Sequence, residues 1–268
     1  MTAIALTIAG SDSSGGAGIQ ADLKTFSALG VYGASVLTAL TAQNTVGVDA
    51  IHDVPTPFVR QQMHSVFSDL AVNAVKIGML SSPHIIEAVA DGLKEEGPSS
   101  IVLDPVMVAE SGDPLLHDDA VGALVKRLFS LATLITPNLH EAARLLDAPM
   151  AQSRPEMEQQ ARQLVAKGAR NVLIKGGHAS DDEAADVLVA SDGAVRWFAA
   201  PFIDTANTHG TGCSLSSAIA ANLAKGQSLT DSVATAKVWL SGALAAADHL
   251  HIGRGAGPVH HFHALWKD

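Results

Sequence analysis

Short apolar segments alternate with amphipathic helical patterns along most of the chain. Between the apolar segments, spacings such as Ile19, Leu23 and Phe26 place apolar side chains on one face of a helix. Short strands that are apolar on both faces, separated by helices, are typical of a parallel sheet with helices on both sides. The pattern therefore predicts an α/β protein with buried strands near residues 3–9, 34–39, 75–77, 101–103, 134–135 and 172–174.

The pattern changes after residue 174. Residues 186–190 and 195–198 flank the turn signal Ser191-Asp192-Gly193, which predicts an antiparallel hairpin at the edge of the mostly parallel sheet. Two Ala-rich helices are predicted next, near residues 213–225 and 230–249. No low-complexity linker or internal repeat interrupts the chain, so we expect one domain over residues 1–268.

The composition indicates a soluble globular protein more than a binder of polyanions or membranes. Hydrophobic residues make up 47% and charged residues 16% of 268 residues, which is enough apolar material for a large core. A net charge of -10 argues against a nucleic-acid surface but not against one local cationic pocket. A single cysteine, no signal-peptide pattern and no apolar run of about 20 residues predict a cytoplasmic protein without membrane contact.

A glycine-rich loop over residues 10–18 joins the first predicted strand to a helix, and three interpretations are open. It fits a dinucleotide pattern formally, but no acidic residue follows about 20 positions later. It could be a simple tight turn. It could also hold a substrate against its backbone N–H groups. Asp22 favours the substrate loop, because it shares a face with Ile19 and Phe26, where a carboxylate is either paired or faces a ligand.

A second turn, Gly210-Thr211-Gly212-Cys213, precedes another helical pattern. Two glycines and a threonine at a helix N-terminus offer backbone donors to an oxyanion or a transferring phosphoryl group. Cys213 lies in the first turn, where the helix dipole is expected to lower the thiol pKa and favour the thiolate. The alternative is that Cys213 is a small buried apolar residue.

Three further polar residues follow predicted strands. Asp104 and Glu141 are hard oxygen ligands of the kind that suits Mg²⁺ shared with phosphates, although Glu141 could simply be an acid in a first helical turn. Lys175 could reach a nucleotide phosphate as a point charge or could be solvated. The histidines near the C-terminus show no spacing for a closed metal site, and we expect them on the surface or in loops.

Seven segments together resemble hydroxymethylpyrimidine/phosphomethylpyrimidine kinases of thiamine biosynthesis, and residues 252–262 resemble that family as well. The match runs in order over nearly the whole chain. The segments are residues 10–24, 41–45, 76–79, 104–107, 136–141, 175–178 and 207–213.

The resemblance implies a ribokinase-like, three-layer α/β/α fold, ATP and Mg²⁺ as cofactors, a homodimer, and two successive phosphorylations of a pyrimidine alcohol. It implies substrate contacts from Gly10, Asp22, Gln43, Met79 and Val106, and an anion hole at Gly210, Thr211 and Gly212, with Cys213 as the base. Lys175, Thr208 and Thr211 would bind ATP, and Asp104 and Glu141 would organise Mg²⁺ through water.

The sequence leaves some alternatives open. Pyridoxal kinase is the nearest enzymatic alternative, and a non-catalytic pyrimidine or nucleotide sensor is the alternative from another class. Glu110 stands where many members of the resembled family have lysine, which would remove positive charge near the phosphates. Residues 43–55 and 108–114 are the candidate lids that would exclude water.

Overall fold

The computed structural model describes residues 2–109, 112–113, 115–116, 119–177 and 183–266. Its strands are β1 (Ile4–Asp12), β2 (Tyr32–Gln43), β3 (Val48–Asp53), β4 (Ala74–Ile77), β5 (Ile101–Leu103), β6 (Leu134–Ile135), β7 (Asn171–Ile174), β8 (Glu183–Ala190) and β9 (Val195–Pro201). Its helices are α1 (Gly18–Ala28), α2 (Thr56–Phe67), α3 (Pro83–Glu96), α4 (Ala120–Leu128), α5 (Leu139–Leu146), α6 (Arg154–Ala166), α7 (Thr211–Ala224) and α8 (Leu229–Ala245), with a 3₁₀ turn at Ala247–His249.

The nine strands form one sheet in the order β3-β2-β1-β4-β5-β6-β7-β8-β9. Six adjacent strands pair in parallel, in the order β2, β1, β4, β5, β6 and β7. Strand β3 adds an antiparallel pairing at one edge of the sheet, and β8 and β9 add antiparallel pairings at the other edge. The mostly parallel sheet and the edge hairpin predicted from the sequence are both confirmed.

Two apolar cores sandwich the sheet. Alternate strand residues point to opposite faces, so that Leu6 and Ile8 pack with helices α2 to α6 while Ala5 packs with α1, α7 and α8. The result is the expected three-layer α/β/α arrangement.

Two differences from the predicted elements concern the site. Strand β1 continues to Asp12, past a bulge between Ala9 and Ser11, so the first third of the glycine loop is extended backbone. Strand β3 was missed within residues 43–55, because its residues are mostly exposed and its apolar residues do not alternate regularly with polar ones. The described part of the chain contains no helix that is long and apolar enough to cross a membrane.

Candidate active site

A cleft of about 150 Å³ lies at the carboxyl ends of the central strands, where open α/β sheets hold their ligands. Two glycine turns form its rim, one after β1 and one before α7. Of the substrate contacts predicted from the sequence, Gly10, Gln43, Met79 and Val106 line this cleft. Asp104, Glu141, Lys175, Gly210, Thr211, Gly212 and Cys213 line it as well.

The turn before α7 exposes the start of a helix to the cleft. Gly210 is the N-cap, and its φ of 80° is a left-handed conformation that favours glycine. Thr211 donates its hydroxyl to the Thr208 carbonyl at 2.6 Å, which fixes the threonine side chain. Because the first N–H groups of a helix have no partner within the helix, this turn can bind an anion.

Cys213 lies in the first turn of α7 and is partly buried. The predicted lowering of its pKa is wrong. Burial raises the pKa of the Cys213 thiol to about 11, with the negative charges of Asp22 and Asp104 adding to the effect, and this outweighs Lys76 and the N–H of Gly18. Loss of water around the thiolate is thus the main cause of the raised pKa.

Asp104, Lys175 and Glu141 form one buried cluster on the floor of the cleft. Lys175 Nζ lies 2.8 Å from Asp104 Oδ1 and 3.9 Å from Glu141 Oε2. Asp104 also accepts from Thr136 Oγ1 at 3.0 Å and Ser216 Oγ at 3.2 Å. Burial alone would raise the pKa of Asp104, but Lys175 and Lys76 hold it below its usual value.

Glu141 caps the start of helix α5 and also lines the cleft. It completes a capping box at the start of α5, in which Glu141 Oε2 accepts from the Asn138 N–H at 2.7 Å and Asn138 Oδ1 accepts from the Glu141 N–H at 2.8 Å. Burial raises the pKa of Glu141 to about 7 despite the nearby Lys175. The interpretation of Glu141 as an acid in the first helical turn is confirmed, and the same side chain also lines the cleft.

The predicted contact between Asp22 and the substrate is contradicted. Asp22 is fully buried and is not among the residues that line the cleft. Its carboxylate accepts from Lys76 Nζ at 2.8 and 2.9 Å and from the hydroxyls of Thr7 and Ser217, each at 2.6 Å. Asp22 shares the apolar side of α1 because it is paired, not because it faces a ligand.

Lys76 is the partner that the sequence did not single out. It is fully buried but reaches the floor of the cleft. Burial opposes its charge, yet Asp22, Cys213 and Asp104 raise the pKa of Lys76 above its usual value. Lys76 lies next to the carboxyl end of the short apolar strand β4, one residue before Ile77. A lysine within such a strand could have been recognised from the sequence as a buried charge that needs a partner.

Two more residues of the cleft were missed, Asp12 and His209. Their side chains contact each other, with His209 Nε2 lying 2.9 Å from Asp12 Oδ2. Asp12 stands in the glycine loop and His209 directly precedes Gly210, so each adjoins a motif that was recognised. Nothing in the sequence joins two residues that are 197 positions apart.

A second cleft of about 260 Å³ adjoins the first at the α7 turn. Lys175, Thr211, Gly212 and Asn138 line both clefts, whereas Thr208 lines only the second. Residues of the edge hairpin and apolar residues of α7 and α8, among them Leu215, Leu240 and Leu244, complete its walls. A ligand with an apolar end could therefore place a polar end at the turn before α7.

Some predicted features lie elsewhere or outside the described residues. His260 and His261 lie in a loop, as expected, but their side chains are buried. His261 Nε2 lies 3.0 Å from Ser214 Oγ, and burial lowers the pKa of His261 to about 3. Glu110 and His178 are outside the described residues. Within those residues, no group of three or more His, Cys, Asp or Glu side chains could hold a metal ion.

Comparison with known proteins identifies the family of this chain. The sequence model of the family described as phosphomethylpyrimidine kinase matches residues 12–260. A hydroxymethylpyrimidine/phosphomethylpyrimidine kinase from Rhizobium meliloti is 59% identical over 268 residues, which is 100% of both chains. The Escherichia coli protein of the same description is 56% identical and covers 98% of both chains.

Solved structures show the same fold. The ADP complex of Bacillus subtilis pyridoxal kinase superposes with a TM-score of 0.91 at 36% sequence identity, and 100% of each chain is covered. This structural relative confirms the expected ribokinase-like fold and supports the use of a nucleotide. The family match and the full-length identities together establish that this chain belongs to the phosphomethylpyrimidine kinase family.

Proposed function

We propose that this protein is an ATP-dependent kinase that phosphorylates 4-amino-5-hydroxymethyl-2-methylpyrimidine and then its monophosphate in thiamine biosynthesis. The observation that carries the proposal is the meeting of two clefts at the Gly210–Gly212 turn. One cleft holds polar and apolar groups for a small ring, and the other combines apolar walls with polar groups at the turn before α7, as a nucleotide requires. The full-length relatives that carry this description support the choice of substrate.

The acceptor binds in the first cleft. The Gln43 amide offers both a donor and an acceptor, which suits the edge of an aminopyrimidine. Met79 and Val106 supply apolar walls, and the backbone at Gly10 allows close approach. Gly10 must stay small there, because a Cβ atom would lie 2.9 Å from Met79 Sδ.

The nucleotide binds in the second cleft with its phosphates at the turn before α7. Lys175 and Thr211 line both clefts and are placed to contact the transferring phosphoryl group, while Thr208 lies on the nucleotide side. The backbone N–H groups of Gly210 and Gly212 stabilise the negative charge of the transferring phosphoryl group, whereas the Thr211 N–H already donates to the Thr208 carbonyl at 3.1 Å and does not belong to the expected anion hole. Phosphoryl transfer depends mainly on positioning and charge stabilisation, so few reactive side chains are needed.

The protonation state of the Cys213 thiol limits what this residue can do in the reaction. A thiol with a pKa of about 11 is protonated near neutral pH and cannot accept a proton. Its sulfur can still accept a hydrogen bond from the alcohol and orient the attacking oxygen. A loose transition state leaves little charge on that oxygen, so a strong base is not required. We therefore propose orientation of the alcohol, rather than its full deprotonation, as the contribution of Cys213.

The carboxylates at the floor of the cleft fit a hydrated Mg²⁺. Asp104 and Glu141 both face Lys175, and the Asp104 oxygens already accept hydrogen bonds from three side chains. Direct coordination would displace these donors, so contact through water suits this pair better. When bound, the ion would neutralise charge on the nucleotide phosphates.

We also propose that the protein works as a homodimer of single-domain chains in the cytoplasm. The β2–β3 edge of the sheet carries exposed apolar side chains, Leu40, Val46 and Ile51, in the described structure. An unpaired edge with such side chains is suited to a second copy of the chain. Light scattering on a sizing column measures the mass directly, and a monomer for both the wild type and an Ile51→Lys variant would reject the dimer.

The first experiment incubates the enzyme with ATP, Mg²⁺ and the pyrimidine alcohol, and follows ADP release together with product masses. We expect the gain of one phosphoryl group and then of a second. Pyridoxal is the second acceptor to test, because the Bacillus subtilis relative is a pyridoxal kinase. Higher kcat/KM on pyridoxal would replace the proposed substrate, and tight binding of either alcohol without ADP release would favour a sensor.

A further inference from the structure

The two glycine turns of the active site are in direct contact, at one position through backbone atoms and at another through the His209 ring. A Cβ atom on Gly210 would lie 1.9 Å from the Gly16 carbonyl oxygen, and a Cβ atom on Gly16 would lie 2.2 Å from Cδ2 of His209. No side chain fits between the turns at either position. The distance between the loop beside the acceptor and the turn beside the phosphates is thus set by direct contact.

One carboxylate organises the acceptor loop. Asp12 Oδ1 accepts from the N–H and the hydroxyl of Ser14, at 2.8 and 2.7 Å. Asp12 Oδ2 accepts from the N–H groups of Gly16 and Ala17, at 3.0 and 2.8 Å. The side chain of Asp12 is 2% exposed, so these donors replace the water that a carboxylate otherwise needs.

His209 connects that carboxylate to the phosphate turn. Its Nε2 lies 2.9 Å from Asp12 Oδ2, and its ring is nearly as buried as the carboxylate. An ionised carboxylate only accepts, so Nε2 carries the hydrogen. The backbone of His209 is held by the C-terminal segment, since its N–H donates to Gly257 O at 3.0 Å and its carbonyl accepts from the Val259 N–H at 3.4 Å.

We propose that His209 and Asp12 are positioning residues that form a latch between the acceptor loop and the phosphoryl-binding turn. The inference rests on the proposed kinase function for its catalytic consequence. His209 holds Asp12, Asp12 holds the Gly16 and Ala17 amides, and the loop then sets where the acceptor hydroxyl lies relative to Gly210–Gly212. A displacement of about 1 Å between reacting groups can lower a rate about 10²-fold, so this connection controls turnover more than binding.

The test compares two substitutions of the same histidine. His209→Leu removes the donor and keeps comparable bulk, whereas His209→Gln can still donate an N–H to Asp12 Oδ2. We expect His209→Leu to lower kcat at least tenfold, with a change in acceptor KM of less than about threefold. ADP formation should also exceed product formation in that variant, because water competes for a phosphoryl group whose acceptor is misplaced. His209→Gln should stay within about threefold of the wild type in kcat, with ADP and product still equal.

A second readout requires no turnover. Hydrogen exchange of the Gly16 and Ala17 amides should become at least tenfold faster in His209→Leu and remain close to the wild type in His209→Gln. Gln160→Leu is the matched control, because it also removes a buried polar side chain, whose amide donates to Pro149 O at 2.7 Å on the other side of the sheet. That control is expected to lower thermal stability without changing the ratio of ADP to product.

The outcomes separate the latch from the proposed function. Equal ADP and product in His209→Leu, or unchanged exchange at Gly16 and Ala17, would overturn the latch while leaving the kinase intact. A wild type that does not phosphorylate the pyrimidine, together with faster exchange in His209→Leu, would reject the proposed substrate and retain the structural link. Equal kinetic loss in the Leu and Gln variants would also overturn it, because the donor would then not matter.

Discussion

Replacing Lys76 by Met tests the buried ion pair beneath the active site. Lys76 and Asp22 are each fully buried, and the ammonium donates to both carboxylate oxygens at 2.8 and 2.9 Å. Met keeps an unbranched chain of similar length but removes the charge. Among the described residues, Asp22 would then keep only the hydroxyls of Thr7 and Ser217 as side-chain donors.

The expected loss follows from that geometry. Removing one partner of a buried pair costs about 3–5 kcal/mol, since the remaining charge is left without compensation. For a chain of this size, 1 kcal/mol corresponds to about 2–4 °C in Tm, so the midpoint should fall by roughly 6–20 °C. Urea unfolding gives the free energy of unfolding, and calorimetry gives the midpoint.

Two variants act as controls for the Lys76→Met result. Lys94→Met removes an exposed lysine on α3 and should change the free energy of unfolding by less than about 0.5 kcal/mol. The double variant Lys76→Met with Asp22→Asn removes both charges and should recover much of the loss. A loss below about 1 kcal/mol in Lys76→Met, or no recovery in the double variant, would refute the argument.

Asp22→Asn by itself separates the observed role of Asp22 from the one expected from the sequence. A structural carboxylate predicts a lower unfolding midpoint, because Lys76 loses its counter-charge. A substrate contact predicts instead a raised KM for the pyrimidine with little change in the midpoint. The second result would reinstate the contact that the structure contradicts.

Two further predictions concern Cys213 and Glu141. Cys213→Ala should slow the first phosphorylation by about 10²-fold but the second much less, because the single alcohol oxygen depends on the Cys213 sulfur for its orientation whereas the monophosphate presents several equivalent oxygens; step-resolved product masses measure both. For Glu141, the pKa is raised from 4.5 to about 7 in the folded protein, so the folded state binds the extra proton between these values. The Glu141 contribution to stability is therefore present below about pH 4.5 and lost as pH rises through 7. Unfolding in EDTA should show this loss in the wild type and not in Glu141→Gln, and parallel pH profiles would contradict it.

Local sequence determined the elements that lie at the centre of the fold. Buried parallel strands must be apolar on both faces, so β4, β5, β6 and β7 could be located within a residue or so of their observed bounds. The glycine turns before two helices also located the two loops of the active site in the sequence. A left-handed φ such as that of Gly210 favours glycine, so the backbone conformation leaves a mark in the sequence. Strand β3 left no such pattern, because an exposed edge strand is under little demand for apolar side chains.

Tertiary structure decided which polar groups face ligands and which face each other. From the sequence, Asp22 could be paired or exposed to a substrate, and only the approach of β4 placed Lys76 against it. The Asp12–His209 contact joins residues 197 positions apart, a separation over which local pattern carries no information. The pKa of Cys213 likewise follows from how the surrounding chain excludes water, which the position at a helix N-terminus in the sequence did not reveal. The sequence thus determined which chemical groups are available, whereas the fold determined their partners and their ionisation, because both depend on distance and on solvent exclusion.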